Sequence, residues 1–307
     1  MKKRLFSCLL AAFCLLATLA GCGKNTRVVG SCAGYDVFYE ELRFVALSVR
    51  EEAESGDEAG LEQKIAERFA ADYAVFSVAK AYLPELSIDS PEIQDAATAA
   101  VKEAIESYGS KSAYRAFLKE HGLTEHLAKQ LLARAELELR CKEKIEAELF
   151  AGTYLETETA FADWLQNGNL VRVRRILTET SEEAEEIFAL LQSGKTPEEA
   201  AGAKLSNSFY LVRGYSDSSA TEEIAFSLSA AHPISEIVPN QTGQYLIFIW
   251  EENDYETFGT YQQSTYFRNL RTEKYNKRKE QLFAAAAEKI TFALNDAGKA
   301  IDLATLK

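Results

Sequence analysis

Along the first half of the chain, apolar residues recur at three- and four-residue steps. Leu61, Ile65, Phe69, Tyr73, Phe76 and Leu83 make one such stripe, broken near Lys80, and its length predicts a helix of about six turns. Ahead of it, residues 28–38 (Val-Val-Gly-Ser-Cys-Ala-Gly-Tyr-Asp-Val-Phe) read as a short strand and a glycine turn at Gly34, leading into a helix through Tyr39-Glu40-Glu41-Leu42. Ser90-Pro91-Glu92 opens the next helix, with proline where a first-turn N–H has no partner anyway. A short helix follows Gly109 and ends at His121, Gly122-Leu123-Thr124 turns the chain, and a long helix then carries Leu127, Leu131, Ala135 and Leu139. Residues 36–150 therefore read as an all-helical unit.

The pattern changes at Asn167-Gly168-Asn169. Val171 to Thr178 alternates as a strand, with Val171, Val173, Arg175 and Leu177 on one face. Thr180-Ser181-Glu182-Glu183 is a capping box before Ile187, Leu190 and Leu191, and Gly194 ends that helix. A second box, Thr196-Pro197-Glu198-Glu199, starts a shorter helix that stops near Gly202. Phe209 to Val212 reads as a strand, Glu222 to Leu228 as a helical turn, and Tyr245 to Trp250 as a buried strand. The order β-α-α-β-α-β predicts a small α+β domain in its own right. Helical periodicity returns from Tyr255 to Lys289, and Ile290-Thr291-Phe292 reads as a closing strand.

Composition narrows the function. The 307 residues hold 34 Lys+Arg against 47 Asp+Glu, a formal charge of -13, so a phosphate backbone, which is bound through Lys and Arg, is disfavoured as a partner. The 17 Phe and 14 Tyr argue against disorder. Met1-Lys2-Lys3-Arg4 and the uncharged run Leu5 to Leu19 read as a secretory signal, too short for a comfortable membrane span. Leu19-Ala20-Gly21-Cys22 then resembles the lipobox of bacterial lipoproteins, in which the cysteine thiol takes a diacylglyceryl group; an ordinary signal peptide that happens to contain Cys is the alternative. With Cys8 and Cys14 in the signal and Cys22 lipidated, Cys32 and Cys141 remain, and their spacing does not show whether they meet.

Several stretches of the middle domain resemble the parvulin (rotamase) family of peptidyl-prolyl isomerases. They are Val171 to Leu177, Ala184 to Gly194 with Pro197-Glu198-Glu199-Ala200, Glu222 to Leu228, Ile234 to Val238, and Gly243 to Ile247. Val28 to Phe44 and Tyr108 to Leu132 resemble the N-terminal chaperone region of the PrsA/SurA-like extracytoplasmic foldases, whose C-terminal helix returns to complete that region. The resemblance implies an α+β fold in which N- and C-terminal segments form a helical chaperone-like domain around an inserted parvulin-like domain. It divides the chain into a signal (1–21), a first helical part (22–167), the insert (168–254) and a closing part (255–307). It also implies anchoring by lipid on Cys22 at the extracytoplasmic face of a bacterial cell membrane, unfolded or partly folded exported polypeptides as partners, and no cofactor, metal or nucleic acid.

The departures from that family bear on activity. Arg175 and Tyr245 stand where the family carries two histidines that face each other across the sheet. The loop that supplies an Asp or Cys is reduced to Ser206-Asn207-Ser208, and Tyr215 to Thr221 is polar where a Met and a Phe line the proline pocket. The insert is therefore expected to be a weak or inactive isomerase, with Arg175, Leu211, Phe226 and Tyr245 as peptide-binding candidates and no catalytic residue assigned. An active isomerase is the alternative, and a solute-binding lipoprotein of a transporter is a second one. His121 and His126 stand five apart, against four for two helical ligands of one metal, and read as capping and surface residues. The basic run Arg268, Arg271, Lys274, Lys277, Arg278 and Lys279 reads as a solvated helix face.

Overall fold

The computed structural model describes residues 27–52, 60–215, 219–303 and 305–306, and the chain divides into two units, residues 1–148 with 276–307 and residues 149–275. The lipobox and its Cys22 lie outside the described residues. In the first unit, β1 (Val28–Cys32) and β2 (Tyr35–Phe38) form an antiparallel hairpin. Its two turn residues, Ala33 and Gly34, both have positive φ, the handedness that matches strand twist. From the far end of the chain, β7 (Phe292–Leu294) pairs with the other side of β1, giving the order β2-β1-β7. That approach is so close that a Cβ on Gly30 would stand 2.5 Å from the Ala293 carbonyl oxygen.

After the hairpin come α1 (Tyr39–Glu52), α2 (Leu61–Tyr82), α3 (Pro91–Ser107), α4 (Lys111–Glu120) and α5 (Glu125–Phe150). The expected stripe of α2 is buried from Leu61 through Phe76, and Phe69 stacks on Phe292 of β7 with ring centres 4.3 Å apart. Ser110 caps α4 by accepting from the Ala113 N–H, and Tyr114, Leu118, Ala104 and Ala128 form a core where α3, α4 and α5 meet. On α5 the buried line is not the expected one. Leu127 is buried, but below it Ala133, Leu137, Cys141 and Ile145 face inward, while Leu131, Ala135 and Leu139 are half-buried. The helix has two apolar faces, and only its neighbours decide which one is covered.

The second unit carries α6 (Glu158–Trp164), a tight turn at Leu165–Asn169, then β3 (Leu170–Thr178), α7 (Ser181–Gln192), α8 (Pro197–Ala201), β4 (Phe209–Val212), α9 (Ser219–Ser227), β5 (Val238–Pro239) and β6 (Tyr245–Glu251). The sheet order is β4-β3-β6-β5, and every pairing is antiparallel. Both capping residues act as expected: Thr180 accepts from the Glu183 N–H, and Thr196 and Glu199 close a reciprocal box. The unit is wider than the segment 168–254 taken from the sequence. Phe150, Leu155, Phe161 and Leu165 before the sheet, and Phe258, Phe267 and Leu270 of α10 (Tyr255–Ala287) after it, share one core with Leu170 and Val212 at the strand ends. Burying those aromatic side chains draws the flanking helices into the unit.

The fold is α+β, with a helical body that takes strands from both ends of the chain and a second unit built on a four-stranded sheet. The chain closes with α11 (Asp296–Lys299), capped by Asn295. No helix among the described residues is long and apolar enough to cross a membrane.

Cys32 and Cys141 are both buried free thiols. Burial, helped by the negative charge of Glu41, pushes the Cys32 thiol up to about 12, and burial with Glu138 pushes Cys141 up to about 11. A chain beginning at residue 23 is expected to show neither thiol to Ellman's reagent at pH 8 while folded, and both after denaturation; none after denaturation would mean a disulfide. Because the folded state holds these protons more tightly, the stability they contribute is complete below the ordinary thiol value of 9.0 and lost as pH rises towards about 12. The urea midpoint should therefore fall more steeply over that range in the wild type than in Cys32→Ala.

Candidate functional site

The sheet of the second unit has two faces. One carries Ile176, Ile247 and Ile249 under α7 and α8; the other carries Val171, Val173, Leu246 and Phe248, with Ala225 of α9 packed on it. Arg175 stands opposite Phe248 in the register and so belongs to the second face. Tyr245 stands opposite Thr178 and Pro239, on the first face. The two positions expected to face each other therefore point to opposite sides of the sheet, because one residue of register inverts a strand's side chains. Leu211, opposite Val171, and Phe226 of α9 are half-buried against the same face as Arg175, so the structure unites three of the four candidates and separates Tyr245.

Among the described residues, no acidic group forms an ion pair with Arg175. Its side chain is exposed, its guanidinium lies 6.0 Å from the Phe209 ring centre, and its backbone N–H donates to Ser206 Oγ at 2.8 Å. The acidic partners go to its neighbours on the strand: Arg174 pairs with Glu198, and Arg172 lies 3.1 Å from Glu251. The Arg174 hydrogen bond holds the Glu198 carboxyl below its usual range. Phe226 is covered by the Arg213 guanidinium at 4.2 Å. Of the Tyr215 to Thr221 stretch, residues 216–218 lie outside the described residues.

The helical body holds a pocket that the sequence announces only in part: Phe69, Tyr73, Phe76 and Tyr82 stand on a stretch able to line a groove as well as a core, and Tyr73 and Phe76 do line one. A pocket of about 440 Å3 is walled by β2, α2, residues 88–89, the start of α3, and α5. Its floor is aromatic: Tyr35 stacks on Phe76 at 4.2 Å, Tyr73 meets Phe76 edge-on at 5.2 Å, and Phe38 meets His126 at 5.6 Å. Arg134 of α5 lies over the Tyr73 and Phe76 rings at 4.4 and 5.5 Å. It is paired at 2.7 Å with Glu41, which is 3% exposed and also accepts from the Tyr73 hydroxyl at 2.8 Å. Burial works against the Arg134 charge, but Glu41 and its neighbours outweigh it and raise the guanidinium's pKa; burial and then Glu41 raise that of the Tyr73 hydroxyl. Arg134 Nε is buried with no hydrogen-bond partner among the described residues.

Beside this pair, Glu40 accepts from Thr124 Oγ1 and lies 2.7 Å from His126 Nδ1. His126 thus belongs to the pocket, while His121 Nδ1 lies 2.9 Å from the Phe117 carbonyl at the end of α4. Acidic residues in a helix's first turn are favoured there by the helix dipole alone, so two adjacent glutamates carry no sign of a site. The available signal was spacing: Glu41, Val45 and Val49 step by four, which places a carboxylate in line with buried apolar residues.

No protein-family model matches the chain, and no curated protein matches it. Solved structures to which the chain is similar include the peptidylprolyl isomerase PrsA from Bacillus anthracis, 17% identical over 71% of this chain and 94% of that one, with a TM-score of 0.36. The foldase PrsA from Lactococcus lactis is 14% identical over 89% of this chain and 97% of that one, with a TM-score of 0.38. A structure described with PEB4 and Cj1289, two SurA-like chaperones of Campylobacter jejuni, is 12% identical over 88% and 99%, with a TM-score of 0.32. At such identities and TM-scores, what this chain does has to be argued from its own residues.

The Glu41–Arg134 pair is a test of how the pocket wall is held. Arg134→Met strands a buried carboxylate and should cost about 3–5 kcal/mol in urea unfolding. Adding Glu41→Gln should return part of that loss, since an amide needs no counter-charge. A loss under about 1 kcal/mol would instead place the pair with solvent-exposed ion pairs.

Proposed function

We propose that the protein is a lipid-anchored extracytoplasmic foldase that binds unfolded exported polypeptides, and that its sheet-containing unit isomerises X-Pro bonds weakly or not at all. The observation that carries this reading is the aromatic-floored pocket in the helical body. Unfolded chains present scattered apolar side chains, and burying them returns about 25 cal/mol per Å2 without a reactive centre. Export and anchoring rest on the basic start, the apolar run and the Leu19-Ala20-Gly21-Cys22 order.

Isomerisation asks for something else. The barrier of roughly 20 kcal/mol is lowered by seating the proline ring and weakening amide resonance. Arg175 is exposed beside Phe209, and Tyr245 lies on the other face of the sheet; that separation supports the reading of a weak or absent isomerase. The solute-binding alternative would be expected to show repeated strand–helix units with parallel pairing, whereas the strand pairs among the described residues are antiparallel.

Two assays separate the readings. The protein should slow aggregation of a denatured client while leaving the isomerisation of a proline peptide close to its uncatalysed rate, unchanged by Arg175→Ala or Tyr245→Phe. A rate like that of an intact parvulin, abolished by either substitution, would establish the active-isomerase alternative. For the anchor, a bacterial host fed labelled palmitate should label the wild type and not Cys22→Ser; label retained by the variant refutes lipidation at that residue.

A further inference from the structure

β2 is an edge strand: β1 pairs with one side of it, and no strand among the described residues pairs with the other. Three of its four residues, Tyr35, Asp36 and Phe38, line the pocket. A strand edge presents outward N–H and C=O groups that template another extended chain. Where such an edge runs beside a pocket, backbone pairing supplies affinity and the pocket selects a side chain.

We propose that this edge and pocket together hold an extended polypeptide carrying an aromatic residue, whose ring enters among Tyr35, Phe38 and Phe76 while its backbone adds to β2. The inference rests on the foldase reading and specifies where, and through what chemistry, a client is held. The rings of the floor give an incoming ring edge-to-face and offset-stacked partners, which an aliphatic side chain cannot use. The cavity's volume of about 440 Å3 lies in the range that holds small ligands.

The polar groups favour a peptide over a small ion. Lys129 brings positive charge from α5, Asp36 and Asp89 bring negative charge from β2 and the segment before α3, and the Arg134 charge is already paired with Glu41. A net anion or cation would meet one set favourably and the other unfavourably. A peptide backbone is neutral and carries both donors and acceptors, and the buried Arg134 Nε is a donor that a backbone carbonyl can satisfy.

The test uses the full chain and fluorescence anisotropy of a fluorescein-labelled Ser/Thr peptide with one central phenylalanine. Gln130→Trp fills the pocket from α5, and Lys129→Trp does the same should the first variant fail to fold by circular dichroism. The pocket-filling variant should raise Kd about tenfold, as should replacing the phenylalanine with alanine or N-methylating alternate backbone amides of the peptide. Kd unchanged within about twofold in the filled variant or with the methylated peptide, or no binding by the wild type, overturns the proposal. Aggregation suppression, measured on the same samples, judges the foldase reading separately. Suppression with peptide binding indifferent to the pocket refutes the proposal alone; pocket-dependent binding without suppression supports it and refutes that reading.

Discussion

The helical body depends on one short strand pairing. β7 lies beside β1, and the Asn295 side chain reaches the Val28 carbonyl from 267 positions further along the chain. Closing a loop of about 260 residues costs about 5 kcal/mol by the (3/2)RT ln n rule, more than the few net hydrogen bonds of a three-residue strand supply at about 0.5–1.5 kcal/mol each. Two features offset that cost. Phe292 stacks on Phe69, so the strand docks with a buried ring as well as a ladder. The second unit brings its own ends together, with the Arg271 guanidinium 4.2 Å from the Phe150 ring, and so shortens the effective loop. Glycine at 30 is the steric condition for all of this.

The hairpin in turn sets the position of α1. The chain leaves β2 directly into that helix, so Glu40 and Glu41 are carried inward in its first turn rather than left in water. A buried carboxylate is tolerated only with partners, and α2 and α5 provide them through Tyr73 and Arg134. The same partners form the aromatic floor and the charged wall of the pocket. Stability and site thus share residues, and a change to Arg134 reports on both.

In the second unit the governing fact is parity. β3 and β6 pair without interruption from Arg172 to Thr178, so side-chain direction is set at every step. That places Arg175 with Leu211 and Phe226, over a face whose apolar residues are already packed on α9, and puts Tyr245 on the other side. The acidic groups near β3 pair with Arg172 and Arg174 instead, leaving Arg175 as an exposed cation beside a ring.

The sequence by itself determined most of the elements and their order, but it read residues 35–38 as the entry to a helix rather than as β2, gave no sign of α6, β5 or α11, and set the closing strand two residues early. The α2 stripe, the capping boxes at Thr180 and Thr196, the alternation of β3 and the closing strand near Phe292 are local signals, set by side-chain period and by backbone groups that need caps within a few residues. Tertiary structure decided the rest, because each remaining question concerned residues far apart in the chain. Which face of α5 is covered, whether Cys32 and Cys141 meet, how wide the second unit is, and on which side Tyr245 lies all depend on partners that periodicity does not name. The pocket is the clearest case. Its walls come from β2, α2, α3 and α5, and no window of the chain contains enough of them for a pattern to appear. Burial of Glu41 against Arg134, across 93 positions, is a choice that only packing makes.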